Sequence, residues 1–221
     1  MPQMQRDNQT RLLLVEGVPG IGKSTILDRM LRIYVEGEAE GKLRTVTSLA
    51  QTRTYGPLAL GEDLGTLTKE ENLNHLDHIV NWLEWIAKNS RDQHRPKSFL
   101  LIDTLHLTHC LRPGVVKWGD VISMDHRLTA IGCKLLLLDA NDDTIRKRTI
   151  EAREHTEFIR GYASGRFGRD KSDLVRHFQY ERDAFRDMCS ASSMKKLCLM
   201  SEVSIEATAN SATRFWLSAD F

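Results

Sequence analysis

The chain is poor in cysteine, proline and aromatic residues, and it has no long apolar run. Of its 221 residues, four are Cys, five are Pro and 7% are aromatic. The thiols stand at Cys110, Cys133, Cys189 and Cys198, and no two form a Cys-x-x-Cys pair. That excludes a dense disulfide framework, and the four read as reduced core residues of a cytoplasmic protein. No stretch approaches the roughly 20 apolar residues that cross a bilayer. The opening ten residues are polar, so neither an export signal nor a membrane partner is expected. Charge of one sign is also missing: 31 Lys and Arg against 30 Asp and Glu leave a net charge of +1. A long nucleic-acid footprint is therefore disfavoured. What is present is an ordinary globular balance, 41% hydrophobic and 28% charged, which fits one domain spanning 1–221.

Five short segments read as buried strands: 11–16, 44–49, 98–103, 134–139 and 195–200. Three of them (RLLLVE, SFLLID and KLLLLD) are continuous apolar runs, as expected of strands covered on both faces. Between them, apolar residues recur at helical spacing over 23–34, 72–90, 120–131, 142–152, 172–188 and 204–217, with Ser204 as an N-cap. Helices alternating with such strands predict an α/β fold with a parallel sheet and right-handed crossovers. The least regular stretches, 53–68 and 156–170, are candidate functional loops.

One motif carries specific chemistry. Gly17-Val18-Pro19-Gly20-Ile21-Gly22-Lys23-Ser24 fits G-x-x-x-x-G-K-[ST], directly after an apolar strand and at the start of an amphipathic helix. Glycines at these places let the backbone curl around an anion, and the helix start adds a positive dipole end. Residues 17–25, Thr25 included, are the expected nucleotide-binding loop. Lys23 would reach the β- and γ-phosphates of ATP, and Ser24 would place its hydroxyl on Mg²⁺.

Asp103 ends an apolar strand where ligands of open α/β sheets bind. It is read as a second Mg²⁺ group, with helix capping through residues 104–106 as the plain alternative. Asp139, which ends the next strand before Asn141-Asp142-Asp143, is read as structural. Nine of the 20 arginines fall between 146 and 186, interleaved with acidic residues. Most read as a solvated, ion-paired surface. Arg148, Arg153, Arg160 and Arg166 flank or occupy a prospective lid at 153–170 and are candidate cations for a migrating phosphoryl group. His75-x-x-His78 and His106-x-x-His109 lack the further ligands that a zinc site needs. Trp82 and Trp85 read as core anchors.

The segment from Leu12 to Thr25, with Glu16-Gly17 ahead of the loop, resembles the opening of thymidylate kinases and deoxynucleoside kinases. Thr52-Arg53-Thr54-Tyr55-Gly56-Pro57 resembles the loop of thymidylate kinases whose arginine touches the acceptor. The run from Leu138 to Arg148 looks like the strand and helix that lead into that family's lid, with Arg148 and Arg153 at its arginine positions. Phe178 to Arg182 and Ser204-Ile205-Glu206 resemble its C-terminal portion. The resemblance implies a P-loop kinase with strand order 2-3-1-4-5, an Arg-rich lid, Lys23, Asp103, Arg148 and Arg153 as catalytic groups, and a homodimer. Arg53 and Tyr55 would contact the acceptor. The family's Asp-Arg after the third strand is Asp103-Thr104 here, so Arg112 is expected either to replace that arginine or to be idle because the acceptor carries no phosphate.

These features predict an ATP-dependent kinase acting on a nucleoside monophosphate such as dTMP. The alternatives are a kinase for a hydroxyl of a nucleoside, metabolite or antibiotic, with Asp103 as base, and a nucleotide-binding regulatory ATPase. A 5′-polynucleotide kinase is a weaker alternative because the net charge is near zero. The guanine-recognition tetrapeptide of GTPases and the Ser-Gly-Gly motif of transporter ATPases are both missing.

Overall fold

The computed structural model describes residues 10–37, 45–58, 66–89, 98–111, 115–153 and 170–218. Arg112, Arg160 and Arg166, with most of the prospective lid, lie outside the described residues.

The apolar runs form strands where their composition predicts. β1 (Arg11–Glu16), β2 (Thr45–Leu49), β3 (Ser98–Asp103), β4 (Cys133–Asp139) and β5 (Lys195–Met200) make one sheet in the order β2-β3-β1-β4-β5. All four pairings are parallel. β1 and β4 are buried along their whole length and β3 from Phe99 onward, which places the core around Leu12–Val15, Leu100–Ile102 and Leu135–Leu138. β5 departs from the expectation of a buried strand, with Lys195, Lys196, Cys198 and Met200 exposed and Leu197 and Leu199 half-buried. It is an edge strand, and charged residues on an open edge disfavour pairing with another chain.

The helices are α1 (Lys23–Gly37), α2 (Gln51–Thr54), α3 (Lys69–Asn89), α4 (His106–Leu111) and α5 (Trp118–Ala130). They are followed by α6 (Asp142–Thr144), α7 (Lys171–Ala191) and α8 (Ile205–Leu217). α6 continues as a π-helix over Ile145–Ile150 and a 3₁₀ turn over Glu151–Arg153, in place of the single α-helix expected at 142–152. α1 and α8 pack on each other and against β1, β3 and β5, while α3, α4, α5 and α7 form a second group that covers β4. The chain winds outward through β2 and β3 on one side of β1 and through β4 and β5 on the other. This reversal opens a crevice at the carboxyl end of β1, the usual ligand position in such sheets.

Local chemistry sets the helix starts. Ser204 accepts the amide of Ala207, Asn141 that of Thr144 and Asp170 that of Asp173, each relieving an orphan first-turn donor. Asp139 is spent structurally: it accepts the Ala140 amide at 2.8 Å and the Arg186 guanidinium at 2.8 Å. Two expectations about side chains are corrected. Trp82 and Trp85 are exposed, because the buried stripe of α3 runs through Asn72, Leu76, Val80, Leu83 and Ala87 and passes them by. All four cysteines are free, but only Cys133 and Cys189 are buried, and burial pushes their thiols up to about 12 and about 11.

Lys134, at the start of β4, is fully buried and closes the last turn of α8. Its ammonium donates to the carbonyls of Phe215 at 3.0 Å and Ser218 at 2.6 Å and to the Ser218 hydroxyl at 2.9 Å. The Phe215 carbonyl also accepts the Ser218 amide at 3.3 Å and the Ser218 hydroxyl at 2.8 Å, and a cation suits the negative end of the helix. Lys134→Met should lower the unfolding free energy by roughly 2–3 kcal/mol in urea denaturation. A change below about 0.5 kcal/mol would contradict this capping role.

Candidate functional site

The chain leaves β1 at Glu16 and, after the six residues 17–22, enters α1 at Lys23. Gly17, Gly20 and Gly22 hold φ of +141°, +85° and +106°. At Gly17 a β-carbon would lie 2.3 Å from the Leu138 carbonyl oxygen; at Gly20 it would lie 3.1 Å from the Thr149 Cα and 3.3 Å from the Arg153 guanidinium carbon. Glycine is thus required both by conformation and by the close approach of β4 and of the segment after α6. Val18 and Ile21 anchor the loop in the core, and the Pro19 carbonyl accepts the Thr149 hydroxyl at 2.9 Å. The Lys23 ammonium is buried within the turn and donates to the carbonyls of Gly17 at 2.7 Å and Val18 at 3.0 Å. A loop of this conformation at the N-terminus of a 15-residue helix can hold an anion against main-chain amides, with an ammonium beside it.

Asp103 pairs in register with Val15, so β3 delivers its carboxylate to the mouth of the loop. The Ser24 hydroxyl donates to Asp103 Oδ2 at 3.2 Å. A hydroxyl and a carboxylate this close suit a hard divalent cation. Among the described residues, no group of three or more His, Cys, Asp or Glu could hold a metal. A cation here would complete its shell with water and phosphate, the habit of Mg²⁺ rather than of a caged metal.

The turn after Asp103 is strained. Thr104 adopts φ +62°, rare for a β-branched residue. Its amide donates to the Val15 carbonyl at 3.0 Å and its hydroxyl to the Asp103 carbonyl at 2.7 Å. Glu16, fully buried, accepts the amides of Leu105 at 2.8 Å and Leu107 at 3.2 Å and the Thr108 hydroxyl at 2.6 Å. Burial pushes its carboxyl above the usual range, and the Thr108 hydrogen bond pulls the other way. Glu16 and Thr104 thereby fix where Asp103 points, a role that the sequence signals only by an acid at the end of an apolar strand.

The acceptor-side residues divide. Arg53 stands exposed on α2, beyond the end of β2, whereas Tyr55 is buried with its ring edge-on to His109 at 5.1 Å. Tyr55 therefore supports its neighbours from within. Thr54, not singled out by sequence, joins the two strand ends: its hydroxyl donates to the Asp103 carbonyl at 3.0 Å, and its own carbonyl meets His75 Nε2 at 2.8 Å and His109 Nε2 at 3.0 Å. The imidazoles that come together belong to different i, i+3 pairs, which is why spacing along the chain did not group them. His106 turns instead to Asp125 at 3.2 Å. Burial pushes the Asp125 carboxyl up, but hydrogen bonds from His106, Ser192 and Ser193 prevail and hold it well below the usual range.

A cleft of about 330 Å³ continues from the other side of the loop, lined by Gly20, Ile21, Leu138, Arg148, Val203 and Ile205 among others. Arg148 stands on its wall, donating to the Ser201 carbonyl at 2.8 Å, while the Arg153 guanidinium lies against Gly20. Of the four arginines read as lid cations, these two are therefore at the loop.

No protein-family model and no curated protein matches the chain. Among solved structures, the chain is similar to the YorR protein of Bacillus subtilis, whose crystal structure is a complex with phosphorylated GDP. The two are 11% identical with a TM-score of 0.58, over 92% of this chain and 94% of that one. They share a fold, which in this chain is five parallel strands in the order 2-3-1-4-5 with packed helices.

Gly17→Ala should destabilise the protein by about 2 kcal/mol or more, because the new methyl meets a backbone oxygen in a conformation that alanine resists. Chemical denaturation checks this; a variant as stable as the native chain would contradict the loop geometry.

Proposed function

We propose that the protein is an ATP-dependent phosphotransferase of the nucleotide-kinase type. One observation carries the reading: Lys23 and the Ser24–Asp103 pair stand at a single glycine-bounded turn at the carboxyl end of β1. Phosphoryl transfer needs little covalent help from a protein and much positioning and charge stabilisation, which are what such a turn supplies. The loop amides would hold the donor's phosphates. Lys23 would leave the Gly17 and Val18 carbonyls to follow the β- and γ-phosphates. Ser24 and Asp103 would hold Mg²⁺, which when bound neutralises charge on the transferring group. Arg153, packed on Gly20, would add a donor there, and Arg148 would lie over the donor's base in the cleft. The fold shared with a protein crystallised with phosphorylated GDP is consistent with this reading.

The acceptor proposed is a nucleoside monophosphate such as dTMP, gripped by Arg53; its phosphate is already a nucleophile and needs no base. A hydroxyl acceptor is favoured by one feature, the Thr104 that stands where an acceptor-binding arginine is expected, and Asp103 would then be the base.

ADP release from Mg·ATP, measured with a panel of nucleoside monophosphates, nucleosides and small alcohols, separates these. A monophosphate should stimulate turnover, and Lys23→Ala should reduce that turnover at least ~100-fold while the fold persists by circular dichroism. No stimulation by any member of the panel, or full activity in Lys23→Ala, would overturn the proposal.

A further inference from the structure

One peptide of the loop before α1 has an orientation that its own residues leave open. Pro19 and Gly20 are the two central residues of a turn. The proline ring keeps φ of Pro19 negative and Gly20 holds φ +85°, so the turn is of type II. A type I turn differs mainly by a half-rotation of the central peptide, here Pro19–Gly20, and it too accepts proline at its first central place. Glycine takes either sign of φ, so the choice between the two is made from outside the loop. Thr149, fully buried in the π-helix Ile145–Ile150, gives its hydroxyl proton to the Pro19 carbonyl at 2.9 Å. A helical threonine more often gives it to a carbonyl of its own helix. The backbone at 149 also lies against the turn, since a β-carbon on Gly20 would stand 3.1 Å from the Thr149 Cα. The π register is rare in helices and frequent at functional sites; here the Glu151 amide that closes it is shared between the carbonyls of Arg146 and Lys147.

We infer that Thr149 is a positioning residue of the donor site: by holding the Pro19 carbonyl, it keeps the Gly20 amide turned toward the donor's phosphates. The inference rests on the donor-site reading above. In a planar trans peptide the N–H points opposite to the carbonyl. With the carbonyl drawn to Thr149, the Gly20 N–H is turned away from the π-helix. A flipped peptide would exchange the two and set a carbonyl oxygen where a polyphosphate needs a donor. An anion nest works because successive amides point the same way, so one reversed peptide removes a donor and adds a repulsion. Thr149 is buried behind the turn and acts on the nucleotide only through that peptide. It lowers the share of the free protein in the wrong turn, and apparent affinity scales with the share that is competent.

Calorimetry of the full chain with Mg·ATP tests this, with Thr149→Val and Thr149→Ser alongside. Valine keeps the shape and loses the hydroxyl, so it should weaken Mg·ATP about three- to tenfold; serine keeps the hydroxyl and should bind within about twofold of the native protein. Glycine-selective ¹⁵N labelling adds a readout that lost packing alone would not move. The Gly20 amide resonance of the native protein should shift on Mg·ATP. Without nucleotide it should move or split in Thr149→Val and keep its native position in Thr149→Ser. Native affinity in Thr149→Val, or equal weakening in both variants, would overturn this inference and leave the donor site standing. A native Gly20 resonance indifferent to bound Mg·ATP would overturn it with no variant needed. No heat from Mg·ATP and the native protein would overturn the donor-site reading as well.

Discussion

The site depends on a backbone that curls the wrong way for most residues. Three left-handed glycines between β1 and α1 bring the Gly17 and Val18 carbonyls around the Lys23 ammonium, so the loop closes on its own cation. A β-carbon at Gly17 would strike β4, and one at Gly20 would press on Arg153 and the π-helical segment. The loop's shape is therefore set jointly by its sequence and by two neighbouring elements. The Lys23 ammonium is kept in place by neutral carbonyls, which a polyanion can displace.

Around that turn the fold joins elements distant in sequence. Parallel pairing sets Asp103 level with Val15, and Ser24 reaches it from the first turn of α1. The strained Thr104 conformation persists because Val15, Glu16 and Thr54 hold the turn from different directions. Thr54 in turn takes two imidazoles, from α3 and α4, onto one carbonyl. The segment bearing Arg53 is thus fixed to the strand bearing Asp103, and the cleft under Arg148 opens on the opposite side of the loop. In the proposed reaction, donor and acceptor would approach from these two sides.

Much of this was legible in the sequence, for physical reasons that differ by region. Strands buried on both faces betray themselves as apolar runs, so β1, β3 and β4 were readable to within a residue. The glycine-bounded turn before α1 was readable because its residue types answer a steric demand. β5 misled, since an edge strand can carry lysines and still pair. Trp82 and Trp85 misled because hydrophobicity alone does not say which helical stripe meets the core. The π-helix at Ile145–Ile150 leaves no compositional mark, yet it brings Thr149 onto Pro19, sets Arg148 on the cleft wall and leads into the turn whose Arg153 lies against Gly20. The Thr54–His75–His109 cluster was invisible because its members come from three elements, brought together only by tertiary packing.

The central claim is that the main-chain amides of the turn, with Lys23 beside them, clasp a polyphosphate. A crystal structure of the protein grown with magnesium and a non-hydrolysable ATP analogue tests it most directly. The account predicts phosphate oxygens within hydrogen-bond distance of the amides of Gly20, Gly22 and Lys23, and the Lys23 ammonium moved from the Gly17 and Val18 carbonyls onto them. An analogue bound elsewhere, with Lys23 still on those carbonyls, would contradict it.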